Sequence, residues 1–190
     1  MADNYSFQID RFKDKFRTGG ARPNLFRVEI DMSAGGGDTG KVTFTARAAS
    51  IPAATLGTIE VPYFGRKVKV AGDRTFAEWT ITVLNDEDFA VRRAFEKWNN
   101  RINSHNESLR DSGVYNISES NILNSYKRLA HIRHYDKKGK EIATYDLRGC
   151  FPSEVGAIDL AWDTNDTIEE YTVTLQYDYW ESLNPGKLIL

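Results

Sequence analysis

The stretch FAEWTITVL, Phe76 to Leu84, puts Trp79, Ile81 and Val83 on one side and Glu78, Thr80 and Thr82 on the other. Successive side chains leave a strand on opposite faces, so strict period two signals a half-buried strand. YTVTLQYDY, Tyr171 to Tyr179, repeats the pattern, with Tyr171, Val173, Leu175, Tyr177 and Tyr179 against Thr172, Thr174, Gln176 and Asp178. Near the start, Phe26, Val28, Ile30 and Met32 alternate with Arg27, Glu29 and Asp31. Lys41 to Arg47 follows suit, with Val42, Phe44 and Ala46 as the apolar face. Further strands are expected at Thr58 to Tyr63, with Pro62 pushing it to an edge or bend, at Arg66 to Val70 and at Val155 to Trp162. Leu129 to Tyr135 and Glu141 to Leu147 read as a hairpin about a turn at Asp136 to Lys140.

The period changes once. Val91, Phe95, Trp98 and Ile102 recur at helical spacing and predict one amphipathic helix over 86–103. Asn85 or Asp86 suits its cap, and Glu87 and Asp88 suit the positive end of its dipole. Residues 1–24 read as an extended arm, 33–40 as a Gly-rich loop, and 48–57 (AASIPAATLG) as a projecting loop or a short turn of helix. Residues 99–125, rich in Asn and Ser, read as a long exposed loop. The expected architecture is mainly β: an antiparallel two-sheet barrel or sandwich over 25–190, one flanking helix, an arm and a projecting hairpin loop.

Composition narrows the function. The 190 residues are 41% hydrophobic and 27% charged with a formal net charge of −2, the make-up of an ordinary globular domain. Nucleic-acid binders cluster Lys and Arg, and the densest cluster here is Lys137-Lys138-Gly139-Lys140. The opening MADNYSFQIDRFKDKF lacks the apolar run of a secretory signal, and no window suits a membrane span. Cys150 is the single cysteine, which rules out a disulfide within the chain and fits a reducing cytoplasm.

Several motifs approach chemistry. Gly35 to Lys41 fits G-x-x-x-x-G-K, but a phosphate loop needs Ser or Thr next and a following helix. Val42 stands there instead, in a segment that alternates like a strand. His131 and His134, three apart, fall on opposite faces of a strand and do not converge on a metal. Asp163, Asn165 and Asp166 lack the remaining ligands of a calcium loop. Cys150 has no activating neighbourhood. No catalytic residue, metal site or cofactor is expected. The aromatic strand faces read as core rather than as a carbohydrate platform, and Trp180, out of phase, is expected part-exposed at an interface.

Four stretches carry a resemblance: RPNLFRVEI (Arg22 to Ile30), ARAASIPAATLGTIEVPYFGRKVKVAGDRTFAEWTITVLNDEDF (Ala46 to Phe89), RRAFEKWNNRIN (Arg92 to Asn103) and YTVTLQYDYWE (Tyr171 to Glu181). Together they resemble the tail tube proteins of T4-like contractile-tailed bacteriophages. The resemblance implies a two-sheet β-barrel with a flanking helix, shared with the hexameric ring protein of type VI secretion. It implies hexameric rings stacked helically into a hollow tube of the virion, assembled in the host cytoplasm inside a contractile sheath. Implied partners are further copies of the chain, the sheath, the baseplate, the tail terminator, and the tape measure protein and genomic DNA in the bore, with no membrane. By the same resemblance, Ile51, Pro52, Ala53, Ala54, Leu56, Tyr63, Phe64 and Arg66 should contact a neighbouring subunit or ring. A bore that passes DNA must not bind it, so its lining should be neutral or acidic. Glu78, Thr80, Thr82, Thr172, Thr174, Gln176 and Asp178 meet that condition. Alternatives are a baseplate tube-initiation protein, the tube of a DNA-free injection machine, a carbohydrate-binding barrel, and a nucleotide-using enzyme built on Gly35 to Lys41.

Overall fold

In Phe26–Ile30 (β1), Val28 and Ile30 are buried; in Trp79–Leu84 (β5), Trp79, Ile81 and Val83 are; in Glu170–Gln176 (β8), Tyr171, Val173 and Leu175 are. The alternation is thus cashed as one-sided burial. The computed structural model describes Ile9, Lys13, Asp14, residues 19–105 and residues 126–183. Its other strands are Ala46–Ala49 (β2), Ala54–Tyr63 (β3), Arg66–Phe76 (β4), Arg128–Tyr135 (β6), Glu141–Val155 (β7) and Tyr179–Leu183 (β9). Two α-helices, Thr39–Thr45 (α1) and Ala90–Ile102 (α2), complete the fold, with a 3-10 turn at Ser33–Gly35.

Seven strands join antiparallel in the order β1-β6-β7-β8-β5-β2, with β9 also on β7. The long strand β7 divides them into two layers. Its first half pairs β6 and β9, and from Phe151 onward it pairs β8. The changeover falls at Gly149, which has φ +72, a conformation that favours glycine. A Cβ there would collide with the Asp178 carboxylate. Strands that pass between layers through such bends are how two-sheet corners are made. β2, at the far end of the order, returns to touch β1, so the sheet nearly closes on itself. Between the layers lie Ile30, Leu147, Trp79, Val173 and Leu175, all at or below 1% exposure. Burial of this kind stabilises by about 1.5–3 kcal/mol per large side chain.

The helix α2 covers one end. Val91, Phe95 and Trp98 are buried as the stripe predicts, Ile102 packs part-buried, and Trp98 Nε1 donates to the Tyr126 carbonyl at 2.7 Å. Its start differs from expectation. The cap position is Phe89 in the left-handed conformation, and Asp88 rather than Asn85 or Asp86 accepts from the Ala90 amide, at 3.0 Å.

Four other expectations are corrected. Lys41 to Arg47 is not a strand: Thr39–Thr45 is helical and only Ala46 and Arg47 join β2. Asp38 caps the helix by accepting from the Gly40 amide at 2.8 Å, and Val42 alone is buried. Phe44, expected inward, is exposed. Val155 to Trp162 is not a strand either; β7 ends at Val155 and residues 156–169 form an irregular loop. The final alternation breaks at Tyr177 and Asp178, where the Asp178 amide donates to the Arg148 carbonyl and the chain leaves β8 for β9. Tyr179 is therefore exposed, and Trp180 lies half-buried against Tyr145. Of the expected projecting loop at 48–57, only residues 50–53 lie outside a strand; 48–49 belong to β2 and 54–57 to β3. The expected loop at 99–125 falls largely, at 106–125, outside the described residues, and so does most of the 1–24 arm.

Candidate self-assembly surface

The strands β3 and β4 form a two-stranded sheet of their own, apart from the seven-stranded one. Their register pairs Ile59 with Val70, Val61 with Val68 and Tyr63 with Arg66. Side chains directly opposite share a face, so Ile59, Val61, Val68 and Val70 make one apolar face. Each of these four is about half exposed, between 47% and 56%. The opposite face carries Glu60 and Lys67, ion-paired at 2.7 Å, with Lys69 beside them. At the tip, Phe64 and Gly65 both have positive φ, as a two-residue type I′ turn demands. Phe64 is 92% exposed and meets Tyr63 edge-on, with centroids 4.7 Å apart. Chains fold to remove such surface from water, and this hairpin keeps it there.

Of the residues expected at a contact, Tyr63, Phe64 and Arg66 stand at this tip. Leu56 lies at the base beside a bulge, exposed, and Ile51 is exposed in the segment before β3. Ala53 and Ala54 are exposed, and the Ala53 carbonyl accepts from Trp180 Nε1 at 3.4 Å. Pro52 is buried within its own subunit. Ile59, Val61, Val68 and Val70, the broad apolar face, were missed: alternation looks the same whether a strand meets its own core or another molecule.

The second surface is the outward face of β5 and β8. Thr80 sits opposite Thr174 and Thr82 opposite Thr172. Gln176 Nε2 donates to Glu78 Oε2 at 3.2 Å across the same face. Asp178 lies just beyond β8, where it holds Lys127 at 2.7 Å. Glu78, Thr80, Thr82, Thr172, Thr174 and Gln176 thus lie along one polar, neutral-to-acidic surface, whereas Asp178 falls past the break in alternation, against Lys127 and Gly149. Register adds Glu154 of β7, opposite Thr174, which sequence reasoning missed because that part of β7 was unassigned.

The profile of the family described as phage tail tube protein matches residues 11–183. The chain belongs to the phage tail tube protein family. It is 36% identical over 175 residues to tail tube protein gp19 of Enterobacteria phage T4, covering 91% of this chain and 99% of that one. The anti-feeding prophage tube-terminating cap superposes with a TM-score of 0.62 at 17% identity, covering 97% of each chain. The sheath-tube complex of the PVC extracellular contractile injection system gives 0.59 at 16% identity, covering 94% of this chain and 99% of that one. These last two likenesses concern the fold. The tail tube protein is a structural subunit of a viral tail, a virion component and not an enzyme.

Within the tail tube subunit, Gly35, Lys41, Cys150 and His131, which approached catalytic chemistry, have structural partners instead. The Gly35 to Lys41 segment does run into a helix, which begins within it at Thr39, but its parts are occupied. A Cβ at Gly35 would strike the Ala94 carbonyl, so this glycine admits α2 at close range, while Lys41 pairs with Asp86 at 2.9 Å and with Asp88. Those carboxylates raise the Lys41 pKa from its ordinary value, with Asp88 the larger cause. No phosphate cradle is left. Burial pushes the Cys150 thiol up to about 12, which keeps it protonated and unreactive at neutral pH. His131 Nδ1 lies 2.7 Å from Asp146 Oδ1, the residue opposite it on β7, and His134 is not part of that pair. Among the described residues no three His, Cys, Asp or Glu side chains converge as metal ligands, and no helix is long and apolar enough to cross a membrane.

Proposed function

We propose that the tail tube protein closes into hexameric rings that stack helically around an open bore inside a contractile sheath, through which genomic DNA leaves. The unpartnered apolar face of the β3–β4 hairpin carries this reading, because it gives each copy a surface that needs another copy. Tyr63, Phe64, Arg66, Leu56, Ile51, Ala53 and Ala54 join that contact; Pro52 supports it from beneath. Glu78, Thr80, Thr82, Thr172, Thr174 and Gln176 line the bore, with Glu154 among them. Threonines and carboxylates there offer phosphates no counterion-releasing partner, so DNA slides without sticking. Residues 25–190 act as the ring-forming unit and 1–24 as an arm. The sheath surrounds the tube, the baseplate starts it, the terminator ends it, and the tape measure protein occupies the bore before DNA does.

Negative-stain microscopy of the purified full chain at rising concentration tests the reading. Hollow tubes of uniform width, or six-membered rings, are expected. A chain that stays monomeric at every concentration, even when seeded with baseplates, refutes it.

A further inference from the structure

We infer that the irregular loop between β7 and β8, residues 156–169, is the seat into which a second copy of this chain docks its β3–β4 hairpin. The inference rests on the reading that the hairpin is an assembly element, and it names the surface that receives it.

Three observations converge on the loop. It exposes large apolar side chains that a surface loop has no reason to carry: Leu160 and Ile168 are mostly exposed and Trp162 fully so. With Leu84 and Ile158 these border an open groove of about 920 Å³. The other prominent unburied apolar cluster among the described residues is the hairpin face itself.

Charge supplies the second observation. From Gly156 to Glu170 there are five acids, Asp159, Asp163, Asp166, Glu169 and Glu170, and no Lys, Arg or His. The hairpin carries Arg66, Lys67, Lys69 and Arg74 against Glu60 and Asp73. Arg47, the base that reaches the groove rim, is taken by Glu170. On the ribbon's apolar face the base is Arg66, opposite Tyr63 at the tip, while Lys67 and Lys69 stand on the other face. An apolar-floored groove with acidic walls therefore meets the apolar face and Arg66 together, and such complementarity selects partners and register.

Placement is the third. The hairpin enters β5 at its Trp79 end, and the loop enters β8 opposite Leu84, at the other end of the same strand pair. Six residues of strand separate the two levels by about 17 Å. A projecting element at one end and a seat at the other make a heterologous contact that repeats in one direction.

A charge swap in the full-length chain tests this, with far-ultraviolet circular dichroism verifying the fold of each variant. Asp159→Lys/Asp166→Lys in the loop and Arg66→Glu in the hairpin should each raise the critical concentration for polymerisation more than about tenfold, since like charges then meet. The combined variant should return to within about threefold of the unaltered chain. If the loop variant polymerises normally while the hairpin variant fails, the seat lies elsewhere and the hairpin's role survives. If both polymerise normally, the hairpin reading falls as well. If the loop variant forms tubes that no longer accept sheath, the loop faces the sheath and the inference is overturned.

Discussion

Replacing Ile59 and Val68 together with threonine would strip the hairpin's apolar face while keeping both residues β-branched, so the strands retain their local preference. Ile59 is 56% exposed and Val68 52% exposed, so about half of each side chain is still wet in the free subunit. Burying an unpartnered hydroxyl in place of a methyl costs about 1–3 kcal/mol. Scaled to the half that remains to be buried, the loss is about 1 kcal/mol per site and about 2 kcal/mol per hairpin. At 1.4 kcal/mol per factor of ten, the critical concentration should rise about 30-fold. The free subunit should hardly notice, because surface changes away from the core stay within about 0.5 kcal/mol. For a chain of this size that is a shift in Tm of under about 2 °C. Sedimentation of assembled polymer over a dilution series, beside thermal melting of the monomer, reads both quantities. A critical concentration within about threefold of the unaltered protein would show that the face is not an assembly contact. A Tm drop well beyond that bound would show that the hairpin packs on its own core.

Thr80→Lys/Thr174→Lys places two cations opposite each other on the proposed bore face. Tubes should form, and DNA release should slow with relief at higher salt, each phosphate contact adding about 0.9 to the salt slope; unchanged release at low salt would remove this face from the bore. Gly149→Ala forces a side chain into the left-handed conformation, at about 1–2 kcal/mol, and against the Asp178 carboxylate. It should lower Tm by several degrees in calorimetry, and an unaltered Tm would mean that β7 does not need its bend there.

The parts of the fold that were legible are those whose faces meet the protein's own interior. β5, β8 and α2 bury Trp79, Ile81, Val173, Phe95 and Trp98 as their periods require. Where a segment is short, the period fails to decide. Lys41 to Arg47 alternates over seven residues, yet Asp38 caps it into a helix that buries one valine. Leu160 and Trp162 alternate as a strand would, but no neighbouring strand receives them, and they stay in solvent. The polar face of β5 and β8 was readable because threonine repeats at every second position. Glu154 was not, since only cross-strand register brings it beside Thr174. Hydrophobic patterning declares that a surface will be buried and is silent about by whom. That is why Ile59, Val61, Val68 and Val70 passed unnoticed as an exposed apolar face.

An exposed apolar ribbon is ordinarily an invitation to aggregate through its free edges, and this one carries the usual safeguards. Pro62 removes a donor from β3, Lys67 and Lys69 charge the polar face, and a bulge between Leu56 and Thr58 disrupts the ladder near the base. A lone two-stranded sheet is only marginally stable in water. Its type I′ turn at Phe64 and Gly65 holds the strands in register beforehand, which reduces the ordering that docking would otherwise require. The ribbon is thus shaped to pair by its face and hindered from pairing by its edge. Because hairpin and loop occupy opposite ends of β5 and β8, face pairing between copies has a direction. On the proposed docking, each added copy would present the same free surface that received it, so growth would run in one direction until something covered that surface.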